Sequence, residues 1–195
     1  LHTVLDGAWA LLLGRSSGHE EVLFCTTVSG RDVDVPGIEE LVGHFIYFLP
    51  LRVRIDEPME IWAWMRALQA KHVEIREHQH LPLSEIRRAA GIPAENPLFR
   101  SMVVVENYPF DLSLARRAGI EVELSPGSNL NPFALMFGTM PGNELELSLT
   151  YDVSRFDTRS IHRMATDLAQ LLRRMTEAPA PRLGELLASL DDARG

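Results

Sequence analysis

The chain has 195 residues, a formal net charge of −8 and hydrophobic residues at 46% of its positions. This length suffices for one domain, or for one lobe of a larger domain, and the composition is that of a folded chain. The acidic excess leaves no overall positive field for nucleic acid, the single cysteine excludes an internal disulfide, and no apolar stretch is long enough to span a bilayer. We therefore expect a cytoplasmic protein that binds neither nucleic acid nor membrane.

The first third of the chain alternates between helical and strand patterns. Apolar residues recur every three or four positions and predict a helix over about residues 2–13, which Gly14 would end. A β-branched segment predicts a buried strand over 22–28. Pro36 is suited to the first turn of a short helix over 36–41. Residues 44–55 are first continuously apolar and then alternate, which predicts a strand in a half-exposed sheet.

The remaining elements follow from the same patterns. A helix over 58–78 carries an apolar stripe that includes His72, which we interpret as a core histidine with one hydrogen bond. Ser84 is expected to cap a shorter helix that ends at Ala90, and Asp157 or Thr158 is expected to cap the last long helix, with a helical tail after Pro181. Strands are predicted at residues 101–106, 120–124, 133–137 and 144–151.

The chain shows no internal repeat and no linker, so we predict one α+β unit with a mixed sheet flanked by helices. The first helix and the 133–137 strand are more apolar than a small lobe needs. We therefore expect them to form an exposed apolar face that receives another part of a larger domain.

Residue chemistry alone identifies no catalytic centre. Ser16 lies in a Gly-X-Ser-X-Gly segment, but the nucleophile elbow requires a strand before the serine and a helix after it, and the predicted order here is the reverse. His78 and His80 have no third ligand at a standard metal-site spacing, so we predict structural roles for both and no metal site. Cys25 lies mid-strand among apolar residues, which favours an inert buried thiol.

Several short motifs follow one another along the chain. They are 28–31 (VSGR), 36–39 (PGIE), 42–52 (VGHFIYFLPLR), 78–85 (HQHLPLSE), 96–99 (NPLF), 104–109 (VVENYP), 149–152 (LTYD) and 156–157 (FD). In this order and at this spacing, they resemble the motifs of nonribosomal peptide synthetase condensation domains. The corresponding family patterns are VSGR…LPG…VGxFxNTLPxR, HQDxPFE, RNPLF and LxYDxxxFD. Together they cover nearly the whole chain.

The resemblance implies that residues 1–195 are the C-terminal lobe of a two-lobed, chloramphenicol acetyltransferase-like fold. The family's HHxxxDG motif belongs to the N-terminal lobe, and this chain contains no His-His pair. The intact domain would join two thioesters, each carried on the phosphopantetheine arm of a carrier protein, through an amide bond. This lobe would form one wall of the substrate tunnel and part of the carrier docking surface. We expect it to be inactive alone and to bind no cofactor directly.

The resemblance also implies partners and site residues. The partners would be the N-terminal lobe, the donor and acceptor carrier proteins and an adjacent adenylation domain. No catalytic residue is assigned within the chain. The candidate tunnel residues are Ser29, Gly30, Arg31, Tyr47, Asn107 and Asn129. The chain departs from the family pattern in two motifs: Tyr47 and Phe48 replace the usual Asn-Thr of VGxFxNTLP, and in HQDxPFE His80 replaces the Asp and Leu83 replaces the aromatic residue. If the Asn position faces the tunnel, Tyr47 would narrow it.

Two alternatives remain open from the sequence. The first is a lobe of a non-condensing relative, either an epimerisation domain or a domain that recruits a tailoring enzyme. The segment VVENYP at 104–109 favours condensation over epimerisation, because epimerisation domains carry an FNYLGQF-like strand there. The second is a free-standing α+β protein that binds a small molecule. The start at Leu1, without an initiator methionine, indicates instead a piece of a longer polypeptide.

Overall fold

The computed structural model describes residues 1–31, 34–38, 40–106, 117, 119, 133–142 and 144–192. The described part contains five helices and five strands. The helices are α1 (His2–Ser17), α2 (Ile61–Arg76), α3 (Leu83–Ala89), α4 (Thr158–Arg174) and α5 (Leu183–Asp192). The strands are β1 (Glu21–Val28), β2 (Tyr47–Arg54), β3 (Ser101–Val105), β4 (Leu135–Pro141) and β5 (Leu145–Tyr151).

The five strands form one mixed sheet in the order β2-β1-β3-β4-β5. The three central strands are parallel, so that Cys25 of β1 lies beside Met102 of β3, and Met102 beside Met136 of β4. The edge strands β2 and β5 pair antiparallel with their neighbours. The predicted α+β class with a mixed sheet is confirmed.

One face of the sheet is packed under helices α1, α2, α4 and α5. Alternate residues of the strands point to this face, among them Phe24, Val103 and Phe137, which are fully buried. Trp9 of α1 stacks on Phe137 with the ring centroids 5.4 Å apart. Its indole nitrogen donates a long hydrogen bond, 3.4 Å, to the Ser101 hydroxyl. The main hydrophobic core therefore lies between the sheet and these four helices.

The opposite face of the sheet has a smaller core. Cys25 and Met102, which alternate with residues of the main core, pack there against Leu98 and Phe99. Side chains of α3 and the half-buried Phe48 lie around them. This face is only partly covered within the described residues.

Three local predictions were wrong. Helix α1 passes through Gly14 and ends at Gly18, whose φ of 72° closes the helix with a hydrogen bond from its N–H to the Gly14 carbonyl. The 36–41 segment forms turns in its described residues, with the Ile38 N–H bonded to the Val35 carbonyl. Helix α3 begins after Pro82 without a side-chain cap, so the predicted Ser84 cap is absent.

The predicted exposed apolar face was also misplaced. Residues 8–12 of α1, together with Leu135 and Phe137 of β4, are buried beneath this chain's own helices. The large apolar side chains that are exposed include Val35, Leu41 and Val42 of the β1–β2 connection. The described helices are too short or too polar to cross a bilayer. The predicted strand at 120–124 lies outside the described residues.

Candidate functional site

An open cavity of about 940 Å³ lies at the carboxyl ends of β1 and β3. Its described lining comes from the end of β1, the residues before and in β2, the end of β3, and the helices α1 and α2. The lining residues are Leu1, His2, Thr27, Val28, Ser29, Arg31, Gly43, His44, Phe45, Ile46, Phe48, Arg76, Met102, Val104, Val105 and Pro141. Carboxyl ends of parallel strands commonly carry ligand sites, because the loops that follow meet at one edge of the sheet.

Arg31 holds one wall of this cavity in place. Its guanidinium donates hydrogen bonds to the backbone carbonyls of Ile38 and Leu41, the second at 2.9 Å. The same group lies 4.4 Å from the centre of the Phe45 ring, within cation–π distance. Ser29 supports the turn by accepting a hydrogen bond from the Arg31 N–H at 3.2 Å. Arg31 thus ties the β1–β2 connection to the end of β1.

Gly30 and Tyr47 form the outer layer of the same wall. Gly30 has a φ of 61°, and a Cβ atom there would lie 2.2 Å from the Phe45 carbonyl oxygen and 2.6 Å from the Tyr47 ring. Tyr47 is 40% exposed and is not among the described residues that line the cavity, whereas Phe45, Ile46 and Phe48 are. The tyrosine ring therefore packs on the backbone of Gly30.

A family model of the condensation domain matches residues 1–194. The chain belongs to the condensation domain family. Among curated proteins, it is 41% identical over 186 residues to chondramide synthase cmdD of Chondromyces crocatus, covering 95% of this chain and 5% of that protein. It is 35% identical over 204 residues to one of the linear gramicidin synthase proteins of Brevibacillus parabrevis, covering 100% of this chain and 4% of that synthase protein.

The solved structures share the fold of this chain. A chain described as the crystal structure of holo T3CT superposes with a TM-score of 0.80 and 26% identity, over 94% of this chain and 43% of that chain. The condensation domain chain therefore spans less than half of this solved relative and about a twentieth of the two curated ones. Its relatives are synthetases of nonribosomal peptides, and secondary metabolite biosynthesis is the setting in which the family occurs.

The six predicted tunnel residues have different positions in this condensation domain chain. Ser29 and Arg31 line the cavity, whereas Gly30 and Tyr47 pack on each other and are not among its described lining residues. Asn107 and Asn129 lie outside the described residues. The motif segments that contain Arg31 and Phe45 are thus in contact, although they are separated in the sequence.

The other singled-out residues are placed away from the cavity. Ser16 is exposed in the last turn of α1, with no strand before it. His78 and His80 are exposed after α2. Across the described ranges, no group of three His, Cys, Asp or Glu side chains could hold a metal ion.

Cys25 is fully buried behind the cavity floor. Burial, with a further contribution from the Asp6 charge, raises the pKa of the thiol from 9.0 to about 12. A thiol that stays protonated to this pH is a poor nucleophile. The predicted inert role is therefore consistent with its environment.

Sequence reasoning missed one polar cluster next to the cavity. Asp6 and Thr26 are fully buried, and the Thr26 hydroxyl donates to Asp6 Oδ2 at 2.9 Å. His72 is buried as predicted, but its Nε2 lies 3.1 Å from Asp6 Oδ2 without hydrogen-bond alignment. His2 Nε2 lies 2.9 Å from the Thr26 hydroxyl. The available signal was the i, i+4 spacing of the polar residues His2 and Asp6 in the mostly apolar first turns of α1.

Proposed function

We propose that this condensation domain chain forms one wall of a substrate tunnel and part of a carrier docking surface. The reaction served is attack by the amine of an acceptor aminoacyl thioester on a donor thioester, which forms an amide bond and releases the donor thiol. Both thioesters would be carried on phosphopantetheine arms of carrier proteins. The observation that carries the proposal is the open cavity at the carboxyl ends of β1 and β3.

The chemistry of the cavity suits a pantetheine arm with an acyl group. Phe48, Met102 and Val104 give it an apolar floor on the sheet, while Arg31 and Arg76 supply donors at its sides. A pantetheine arm combines methylene and dimethyl groups with two amides, so it requires both kinds of surface. Small-molecule sites commonly have mostly apolar walls that bury the ligand and a few polar groups that orient it.

We infer that the chain does not condense substrates alone. The family resemblance assigns the reacting base to a His-His pair, and the sequence contains none. The partners that complete the function would be an N-terminal lobe, donor and acceptor carrier proteins and an adenylation domain. A loaded-carrier assay with the 195-residue chain should give no dipeptide above background. Dipeptide formation at whole-domain rates would contradict this.

Methionine methyl groups provide a direct test of the cavity. Met102 lines the cavity. Met175 is buried in the main core, and Met164 of α4 is partly buried against the same core. In a chain with 13C-labelled methionine methyls, acetyl-pantetheine amide should shift the Met102 signal in a saturable way. The Met164 and Met175 signals should stay in place. If the probe binds saturably but the Met102 signal does not shift, the assignment of the probe to this cavity is wrong.

A matched pair of substitutions separates cavity binding from surface effects. Val104→Phe adds a ring to the cavity floor and should weaken binding of the same probe. Val153→Phe makes the same change at a side chain that is 81% exposed and outside the cavity. It should leave the affinity unchanged. Equal affinities for both variants would show that the probe binds elsewhere.

A further inference from the structure

The buried polar cluster of Asp6, Thr26, His72 and His2 reaches the wall of the cavity. Asp6 and Thr26 are fully buried and His72 is 5% exposed, while the His2 side chain is 26% exposed. His2 lines both the main cavity and a smaller one of about 160 Å³ between α1 and α2. It is therefore the member of the cluster through which the buried carboxylate can influence a ligand.

Counting hydrogens fixes the ring nitrogen that His2 uses in this cluster. The hydroxyl of Thr26 has one hydrogen, and it is donated to Asp6 Oδ2. The contact of 2.9 Å between His2 Nε2 and the same hydroxyl oxygen must then use a hydrogen on the histidine. A neutral imidazole that carries its hydrogen on Nε2 has a lone pair on Nδ1. Nδ1 of His2 is therefore a hydrogen-bond acceptor.

The charges around His2 favour this neutral form. Burial lowers the pKa of His2 most, the Asp6 carboxylate acts in the opposite direction, and the neighbouring His72 ring and Arg76 lower it further. These are the charged and titratable groups that face the ring from α1 and α2. At neutral pH the ring stays uncharged and keeps its acceptor.

We propose that His2 is a binding residue of the cavity whose Nδ1 accepts a hydrogen bond from the amine of a bound aminoacyl group, with Thr26 and Asp6 as positioning residues. The proposal rests on the proposed function in one respect, namely that the cavity takes acyl-pantetheine groups. Arg31 and Arg76 line the same cavity as hydrogen-bond donors with positive charge. They disfavour a second positive charge, so the bound amine is expected to be neutral and to donate its N–H to His2.

The tautomer can be tested without any ligand. In the 195-residue chain, 15N shifts of the His2 ring, assigned by their loss in His2→Phe, should report hydrogen on Nε2 and none on Nδ1 at pH 7. Thr26→Val removes the hydroxyl and should mix the tautomers, and Thr26→Ser should restore the wild-type pattern. A purely structural role for Thr26 would leave the ring shifts unchanged in the folded valine variant. That result, or hydrogen on Nδ1 in the wild type, would overturn the proposal.

Two probes that differ by one amine test the binding role. Glycyl-pantetheine amide should bind more tightly than acetyl-pantetheine amide by about three- to tenfold, the range of one hydrogen bond. His2→Phe should abolish this preference, whereas His162→Phe, at an exposed position of α4, should preserve it. Thr26→Val should reduce the preference, and Thr26→Ser should restore it.

The outcomes separate this proposal from the proposed function. Equal binding of the two probes at the cavity leaves the proposed function standing and overturns the role of His2. A preference that persists in a folded His2→Phe variant also overturns it. Binding of neither probe overturns both proposals.

Discussion

The two faces of the central sheet are built from alternate residues of the same strands, yet they differ in what covers them. One face is closed by four helices and contains the fully buried Trp9, Phe24 and Phe137. Among the described residues, the other contains four buried ones, Cys25, Leu98, Phe99 and Met102, and it borders the cavity. The first face supplies the large part of the hydrophobic burial, and the second presents apolar side chains to the cavity.

This difference lets one sheet stabilise the core on one face and line the proposed binding cavity on the other. Because side chains alternate along a strand, Val103 stabilises the core while Met102 and Val104 next to it line the cavity. A substitution can therefore affect one face with little effect on the other. The predictions below use this separation, beginning with the largest expected effect.

Replacing one aromatic ring on each face by alanine compares how much the two faces contribute to stability. Phe137→Ala removes a fully buried ring that stacks on Trp9, so we expect the free energy of unfolding to fall by about 3 to 5 kcal/mol. Phe48→Ala removes a half-buried ring beside the cavity and should cost about 1 to 2 kcal/mol. Urea unfolding of both variants measures these losses. Equal losses would show that the open face contributes as much to stability as the closed one.

A methyl group at Gly30 tests the wall of the cavity. Gly30→Ala places a Cβ against the Phe45 carbonyl and the Tyr47 ring at a positive φ, and should cost about 2 to 4 kcal/mol while weakening pantetheine binding. Gly18→Ala has a similar φ, 72°, but nothing lies within 4 Å of its Cβ. It should cost about 1 to 2 kcal/mol and leave binding unchanged. Thermal melts and a binding titration compare the two variants. Equal losses of stability would indicate that the cavity wall rearranges to accommodate the new methyl group.

The alternation of β2 and the apolar stripe of α2 could be predicted from the sequence because each depends on a local period. Leu51 and Val53 face the core, as expected, with Arg52 and Arg54 on the other side. The Asp157 cap was predictable for the same reason, since the residue that accepts the bond stands three positions before its donor.

The site could be predicted only in part, because its contacts join distant segments. Ser29 and Arg31 were identified through the family motif, but the packing of Tyr47 on Gly30 depends on how the β1–β2 connection folds back. The partnership of Asp6 with Thr26 and His72 joins two helices and a strand, and no local pattern indicates it. The 36–41 segment forms turns in place of the predicted helix, and the carbonyls of Ile38 and Leu41 accept hydrogen bonds from the distant Arg31 side chain, a contact that no local pattern indicates.

Cys25, on the open face, gives a prediction about pH and reactivity. With its pKa raised to about 12 by burial, the thiol should resist iodoacetamide at pH 8 in the folded chain and react in urea. Ala70→Cys places a second thiol at an exposed position of α2, and mass spectrometry of this variant should show labelling there alone. Rapid labelling of Cys25 in the folded state would mean that the smaller core opens to solvent.

The raised pKa of the Cys25 thiol also affects the stability of the chain at high pH. The folded pKa is raised from 9.0, so the contribution of Cys25 to stability is present below pH 9 and is lost as the pH rises towards 12. Cys25→Ala has no such group. The stability difference between wild type and this variant should therefore move in favour of the variant above pH 9, and a difference that does not change with pH would contradict the burial of the thiol.

The smallest effect is expected at an exposed cap on the closed face. Asp157 accepts a hydrogen bond from the Ser160 N–H at 2.9 Å at the start of α4. Hydrogen bonding by the Ser160 side chain, together with this backbone contact, lowers the pKa of the carboxyl. A lowered folded pKa means that the charged cap stabilises the chain above the ordinary aspartate pKa, and that this contribution is lost as the pH falls through the folded value.

Asp157→Asn keeps an acceptor at the same position but does not titrate. Melting temperatures should therefore favour the wild type slightly at pH 7, and the gap should close towards pH 3. Asp157→Ala, which has no acceptor, should remain less stable than Asp157→Asn at both pH values, because the loss of the hydrogen bond does not depend on charge. A gap between wild type and Asp157→Asn that stays constant from pH 7 to pH 3 would show that the charge of the cap does not contribute to the stability of the helix-covered face.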